Sequence, residues 1–353
     1  MASGAAAVLM LGPKPYPPMD SLVFAAVLLA AAAHAGWNAA IKRGLDPLVT
    51  TVLIAVGAGA VAVPMIAWAG LPAAAAWPWV IASVIVHLGY FAGLIEAYRA
   101  GDMSQVYPIA RGAAPLLTAL VSTAWLGERL GLLGWIGLLC LVGGVMMLSL
   151  RGGGALAHLV PRTRSSHDIA AGTVANFGFK SGTRIKAFRV SFSIPKFAQK
   201  SRQMLANFGS GTLDRRAVGF ALFTALTVCA YTVIDGIGVR TAGNALAYTA
   251  AAFFGNAVIM ALYGIARRGA KLLAGPWQIW RTGLGGGALQ FASYGVALWA
   301  MTIAPIAVVA ALRETSVLFG ALIAVVVLRE PLRSARVAAA VLIVAGLVMI
   351  KVH

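Results

Sequence analysis

Apolar runs of bilayer-crossing length recur along almost the whole chain, from Ser21 to Val352, separated by short polar breaks. A helix rises about 1.5 Å per residue, so roughly 20 apolar residues cross a hydrocarbon core about 30 Å thick. In lipid an unpaired backbone N–H or C=O is too costly to expose, which leaves helices or closed barrels as spanning forms. Barrel strands alternate apolar and polar positions, and these runs do not. The pattern predicts an all-α integral membrane protein with about ten transmembrane helices, over residues 21–42, 49–69, 77–99, 105–127, 131–150, 217–239, 244–265, 279–301, 305–328 and 333–351. Composition agrees, because a chain 60% hydrophobic and 11% charged has too little polar surface to cover a water-soluble core.

Most connections are short, and Gly/Pro breaks such as Gly70–Pro72 and Ala304–Pro305 imply antiparallel neighbours. Residues 151–216 differ: they are polar, lack apolar periodicity and carry twelve Lys/Arg against Asp168 and Asp214. They read as a basic, flexible loop. Residues 1–20 read as an N-terminal tail. Lys14 follows the short apolar run there and prolines break what comes next, the reverse of a secretory signal.

The net charge is +18, and nine of the 28 basic residues fall between Arg162 and Arg202. In a soluble protein this would suggest nucleic acid. No folded soluble module is present to read one, and basic loops serve polytopic proteins by holding anionic headgroups. The partners expected are a small-molecule substrate and membrane lipids, with a second copy of the chain as a further candidate, and not nucleic acid. Cys140 and Cys229 both lie in apolar runs and form no metal or redox spacing, so no metal or cofactor is expected.

The basic loop separates two halves that match at a shift of 202 residues. Arg111 falls on Arg313, Glu128 on Glu330, Leu130 on Leu332, Gly93 on Gly295 and Gly144 on Gly346. Charged and glycine matches at one fixed offset are not expected from chance among Ala/Val/Leu runs. Five helices is an odd number, so the second copy enters the membrane from the opposite side. The result is a pair of inverted five-helix repeats, 21–150 and 217–353. That architecture is typical of secondary transporters, with a site near the midplane.

The text of the repeats resembles the drug/metabolite transporter superfamily, and within it the proteins with EamA domains. The residues that carry the resemblance are Ala113-Ala114-Pro115-Leu116 through Leu126-Gly127-Glu128-Arg129-Leu130 and Gly143-Gly144, repeated as Leu328-Arg329-Glu330-Pro331-Leu332 with Ala345-Gly346. His34-Ala35-Gly36-Trp37-Asn38 and Tyr231-Thr232-Val233-Ile234-Asp235-Gly236 add to it. The resemblance implies export or exchange of small metabolites and names no substrate. It also implies cytoplasmic termini. The charge count points the other way: Lys42, Arg43, Arg99, Arg267, Arg268, Lys271, Arg281, Arg329, Arg333 and Arg336 share one side, against Lys14, Arg129, Arg240 and Lys351.

A charge in mid-helix costs about 2.5–3.5 kcal/mol on insertion scales, so each needs a reason. Tyr107, Arg111, Ala114 and Thr118 form one stripe, too polar for lipid. Arg111 and Arg313 can present positive charge across the pseudo-twofold axis to a carboxylate or phosphonate. Alternatively each arginine is held by Glu96, Asp235 or Glu314 and locks helices, or snorkels to the interface. The same three carboxylates are the candidates for carrying a proton, since low dielectric favours a carboxyl's neutral form. Glu128 and Glu330 sit at helix ends and read as loop caps.

One-turn pairs supply the remaining lining: His34 with Asn38, beside Trp37; His87 with Tyr90; Gln290 with Tyr294; and Tyr231 in the second half. Aromatic rings with a few polar groups suit a small molecule, whereas a lone histidine can as well bond a neighbouring helix. Trp77, Trp79, Trp277 and Trp280 read as interface anchors, and Gly144, Gly346 and the Gly283–Gly287 stretch as close helix crossings.

The sequence thus predicts a secondary-active exporter or exchanger of a small polar or amphipathic metabolite, amino-acid-like or another organic anion, in a bacterial-type inner membrane. A flippase for a lipid-linked substrate is the alternative. No Ser-His dyad or HExxH motif supports an enzyme.

Overall fold

Length and apolarity dictate the elements, and the helices begin and end within three residues of the spans predicted above. The computed structural model describes residues 19–41, 47–100, 103–152, 215–269, 277–326 and 334–352, without the side chains of 37–41, 47, 94–100, 103–109, 149–152, 215–217 and 324. The expected tail and the expected loop lie almost wholly outside this set.

The first repeat contributes α1 (Ser21–Ile41), α2 (Pro47–Ala69), α3 (Trp77–Ala100), α4 (Met103–Trp125) and α5 (Leu132–Gly152). The second contributes α6 (Arg215–Thr241), α7 (Ala245–Arg268), α8 (Trp277–Ile303), α9 (Ile306–Glu314), α10 (Ser316–Val326) and α11 (Ser334–Val352). The span predicted as one helix over 305–328 is therefore two. Both the N–H and the hydroxyl of Thr315 return to the Leu312 carbonyl, at 3.1 and 2.6 Å, which tightens the ladder and interrupts it.

Among the described residues, six stretches are long and apolar enough to cross a membrane by length and composition: Leu48–Ala69, Ala74–Gly93, Val218–Thr241, Ala245–Arg268, Ile306–Ile323 and Ser334–Val352. Shorter apolar runs, Ser21–Gly36 and Leu132–Leu148, lie in α1 and α5. In α4 and α8 polar residues interrupt the apolar run, and these two helices carry Arg111 and Tyr294. Outward faces are apolar: Leu22, Trp68 and Leu132 are each more than 70% exposed. Trp77 and Trp277, the first residues of α3 and α8, are also exposed, as interface anchors require.

Packing follows the repeat. Applying the 202-residue shift, α5 packs on its own counterpart α11 and α2 on its counterpart α7, while α3 packs on α6 as α8 packs on α1. α4 packs on α9 across the same relation. Glycines permit these approaches. A Cβ on Gly346 would lie 2.5 Å from the Gly137 carbonyl oxygen, and one on Gly287 would lie 2.3 Å from the Ala58 nitrogen. Backbone atoms cannot yield as a flexible side chain can. Gly287→Ala is therefore expected to destabilise by about 1–3 kcal/mol through overpacking. Gly285→Ala, whose Cβ meets nothing within 4 Å, should be neutral or slightly stabilising. Thermal unfolding of the two variants in one detergent compares them directly.

Candidate substrate-binding site

Helix periodicity puts Thr224, Val228, Tyr231 and Asp235 on one stripe of α6, and all four are buried. Asp235 is fully buried, so its carboxylate needs partners inside the bundle. It has two. Tyr248 of α7 donates to Oδ1 at 2.9 Å, and Tyr294 of α8 donates to Oδ2 at 2.5 Å. Gly238, one turn on from Asp235, gives Tyr248 its path: a Cβ there would lie 2.5 Å from the tyrosine ring.

Arg313 occupies the other side of Tyr294, its guanidinium carbon 4.5 Å from the ring centroid. Cation–π attraction of this kind strengthens when desolvated. Arg111, its counterpart in the first repeat, is held differently. Its Nε lies 3.1 Å from Glu314 Oε2, and its Nη2 donates to Ser316 Oγ at 3.1 Å. Glu314 and Ser316 flank the Thr315 break, so the interruption in the ninth span presents both groups to α4. The two symmetric arginines thus have unequal contacts. Arg111 is tied across the repeats, as the helix-locking alternative requires, and Arg313 rests on an aromatic face.

Around them stand stacked rings. His87 lies against Tyr231 with centroids 4.1 Å apart, and Tyr90 meets Tyr231 edge-on at 5.8 Å. Tyr294 meets Tyr231 at 6.3 Å and Phe253 at 5.9 Å. His87 Nδ1 donates to the Ser83 carbonyl at 2.9 Å, which selects its tautomer. Arg111, Ala114, Pro115, Thr118, Tyr231, Arg313 and Glu314 contribute to the lining of a cavity of about 10 Å³. That is room for about one water.

The structure therefore gathers Arg111, Arg313, Tyr90, Tyr231, Tyr294, Asp235 and Glu314 into one cluster. His34 on α1 lies within electrostatic reach of Arg111 and Arg313. Gln290 is half-buried on α8, where its backbone carbonyl accepts from Ser293 Oγ at 3.1 Å, a bond within the helix that does not bring its side chain into the cluster. The side chains of Trp37, Asn38, Tyr107 and Glu96 lie outside the described residues, as does Glu330. Sequence reasoning missed Tyr248, Ser316 and Phe253. For Tyr248 a signal existed: a phenol inside the alanine-rich run Ala245–Ala252 needs a polar partner in lipid.

Residues 21–150 and 215–352 match the EamA-like transporter family. The chain belongs to that family. It is a membrane transporter of the drug/metabolite type, and the fold has a solved counterpart. A structure titled "Crystal structure of protein" shares it at a TM-score of 0.61 and 17% identity, with 93% of this chain and 95% of that chain covered. No curated protein matches the chain.

At one end of the bundle, this EamA-like transporter ties its repeats together with a second ion pair. Gly127 takes the left-handed region, φ 67°, and the Glu128 N–H returns to the Ser122 carbonyl at 3.2 Å. This turn delivers the Glu128 carboxylate to the second repeat. Oε1 accepts from Arg240 Nη2 at 2.9 Å and from the Ile306 N–H at 3.0 Å, and Oε2 accepts from the Ala307 N–H at 3.4 Å. Arg240 in turn donates to the Met301 and Ala304 carbonyls at 2.7 and 3.0 Å. One pair thus satisfies the first N–H groups of α9 and late carbonyls at the C-terminal end of α8, groups that a helix leaves unpaired. The expected role of Glu128 as a cap is what the geometry shows.

Proposed function

We propose that this transporter is a secondary-active exporter or exchanger of a small metabolite, zwitterionic and amino-acid-like or otherwise anionic, in a bacterial-type inner membrane. The observation that carries the reading is the arrangement around Tyr294. Its hydroxyl binds the buried carboxylate of Asp235 and its face carries the Arg313 guanidinium. A buried anion and a half-buried cation at one ring suit a ligand that brings an ammonium and a carboxylate. The rings of Tyr90, Tyr231 and His87 supply the apolar wall.

Space for about one water is too little for any metabolite, so entry requires the repeats to part. Alternating access through rocking of one repeat against the other does this. Asp235 and Glu314 are the groups we assign to proton coupling, since each is buried and each contacts a residue of the cluster. A flippase would need a polar route from the lipid flank to this cluster. The large flank groove described below is lined as deep as Phe291, Thr249 and Gly295 and includes none of Arg111, Asp235, Tyr294 or Arg313.

The test is a thermal-shift screen of the purified protein against amino acids, nucleosides, organic phosphates, phosphonates and lipid-linked sugars. A ligand that binds the folded state raises the transition by mass action. We expect stabilisation by one amino-acid-like or anionic class. Arg313→Gln should weaken that binding about 10- to 100-fold, the loss of a charged hydrogen bond, with little change in ligand-free stability. Arg111→Gln should instead lower ligand-free stability, because it strands Glu314. Stabilisation by lipid-linked sugars alone would replace the exporter with the flippase.

A further inference from the structure

A groove of about 1240 Å³ opens on the bundle's outer flank. Its walls are the C-terminal half of α8, the end of α6, the first turn of α7 and the turn at Leu126–Glu128. Phe291, Ala292, Val296, Trp299 and Ile303 run along the α8 side, about 18 Å at 1.5 Å per residue. Arg240, at the end of α6, also lines it and bonds the carbonyls at the end of α8.

We infer that this groove binds one anionic membrane phospholipid, with its phosphate at Arg240 and an acyl chain along the Phe291–Ile303 flank of α8. Three observations identify the occupant. The groove lies on a lipid-facing surface, because Trp299 and Ile303, which line it, are 39% and 48% exposed and apolar. Its charged end lies at the ends of the helices, near Thr241 and Asn244, which is headgroup depth. What faces the groove there is positive: the Arg240 side chain is 24% exposed and the Glu128 side chain only 2%. A basic pocket between membrane helices is the kind that holds anionic headgroups. The volume also exceeds the 300–1,000 Å³ usual for small-molecule pockets.

The test leaves Arg240 intact, since it also ties α6 to the end of α8 and to Glu128. Ala292→Trp fills the groove from its exposed flank, and Thr302→Trp fills it nearer the charged end. Delipidated protein is titrated with dioleoyl phosphatidylglycerol or dioleoyl phosphatidylcholine in micelles, read by thermal shift and by native mass spectrometry. The wild type should retain one phosphatidylglycerol and gain several degrees from added phosphatidylglycerol, and less from phosphatidylcholine. In the two variants the apparent affinity should fall at least tenfold and the retained lipid should disappear. Equal stabilisation of variants and wild type by phosphatidylglycerol would overturn the site. So would the absence of any shift in the wild type. Equal effects of the two lipids would overturn the anionic headgroup.

Discussion

Glu128→Ala is expected to cost this protein most of its folded population. The carboxylate is buried and accepts three hydrogen bonds, one from Arg240 and two from the start of α9. Its removal strands a guanidinium that is mostly enclosed and uncaps a buried helix N-terminus. Breaking a buried pair from one side costs about 3–5 kcal/mol, and a lost cap adds about 1 kcal/mol. That is a large fraction of the stability of any single domain. Glu128→Gln should be milder, since one amide oxygen still accepts from Ile306 or Arg240. The exchanged pair, Glu128→Arg with Arg240→Glu, should not rescue. In the wild type the carboxylate is bound by N–H groups and the guanidinium by the Met301 and Ala304 carbonyls, and exchange faces each charge with the wrong dipoles. Detergent unfolding of the three variants measures this. Rescue by the exchanged pair would mean that simple charge attraction, and not the double cap, holds this end of the bundle.

The same residues mark where the sequence stopped being readable. The spans were legible because lipid accepts few alternatives to a helix, and Arg111 and Arg313 were legible because both repeats carry them at one offset. Asp235, Tyr231 and Tyr294 were legible as polar groups at one-turn spacings inside apolar text. The partner of Glu128 was not. Arg240 lies 112 residues away, and shifted back by 202 it falls on Asn38, so the repeat itself hides it. Nor was the break at Thr315 visible, since the apolar run continues through Ser316–Val326. The inequality of the two arginines has the same origin. Symmetry predicts matched positions, but Glu314 and Ser316 stand only in the second repeat, and they select Arg111.

Asp235→Asn should abolish accumulation driven by a proton gradient while leaving a folded protein. Asparagine has the same shape and removes a buried charge, so the fold loses little. What it removes is a group able to take up and release a proton, together with the full acceptor strength that Tyr248 and Tyr294 now meet. Tyr294→Phe separates the two roles of that residue: it deletes the 2.5 Å bond and keeps the ring under Arg313. It should cut transport more than Tyr248→Phe, because Tyr294 binds the carboxylate through its hydroxyl and carries the cation on its ring. Counterflow in proteoliposomes provides the decisive contrast. Substrate exchange needs the site to open and close but needs no net proton movement. If Asp235 carries the proton, Asp235→Asn keeps exchange and loses gradient-driven accumulation. If both vanish together in a stable protein, Asp235 holds the substrate instead. If both persist, its two tyrosine bonds serve only to fasten α7 and α8 to α6.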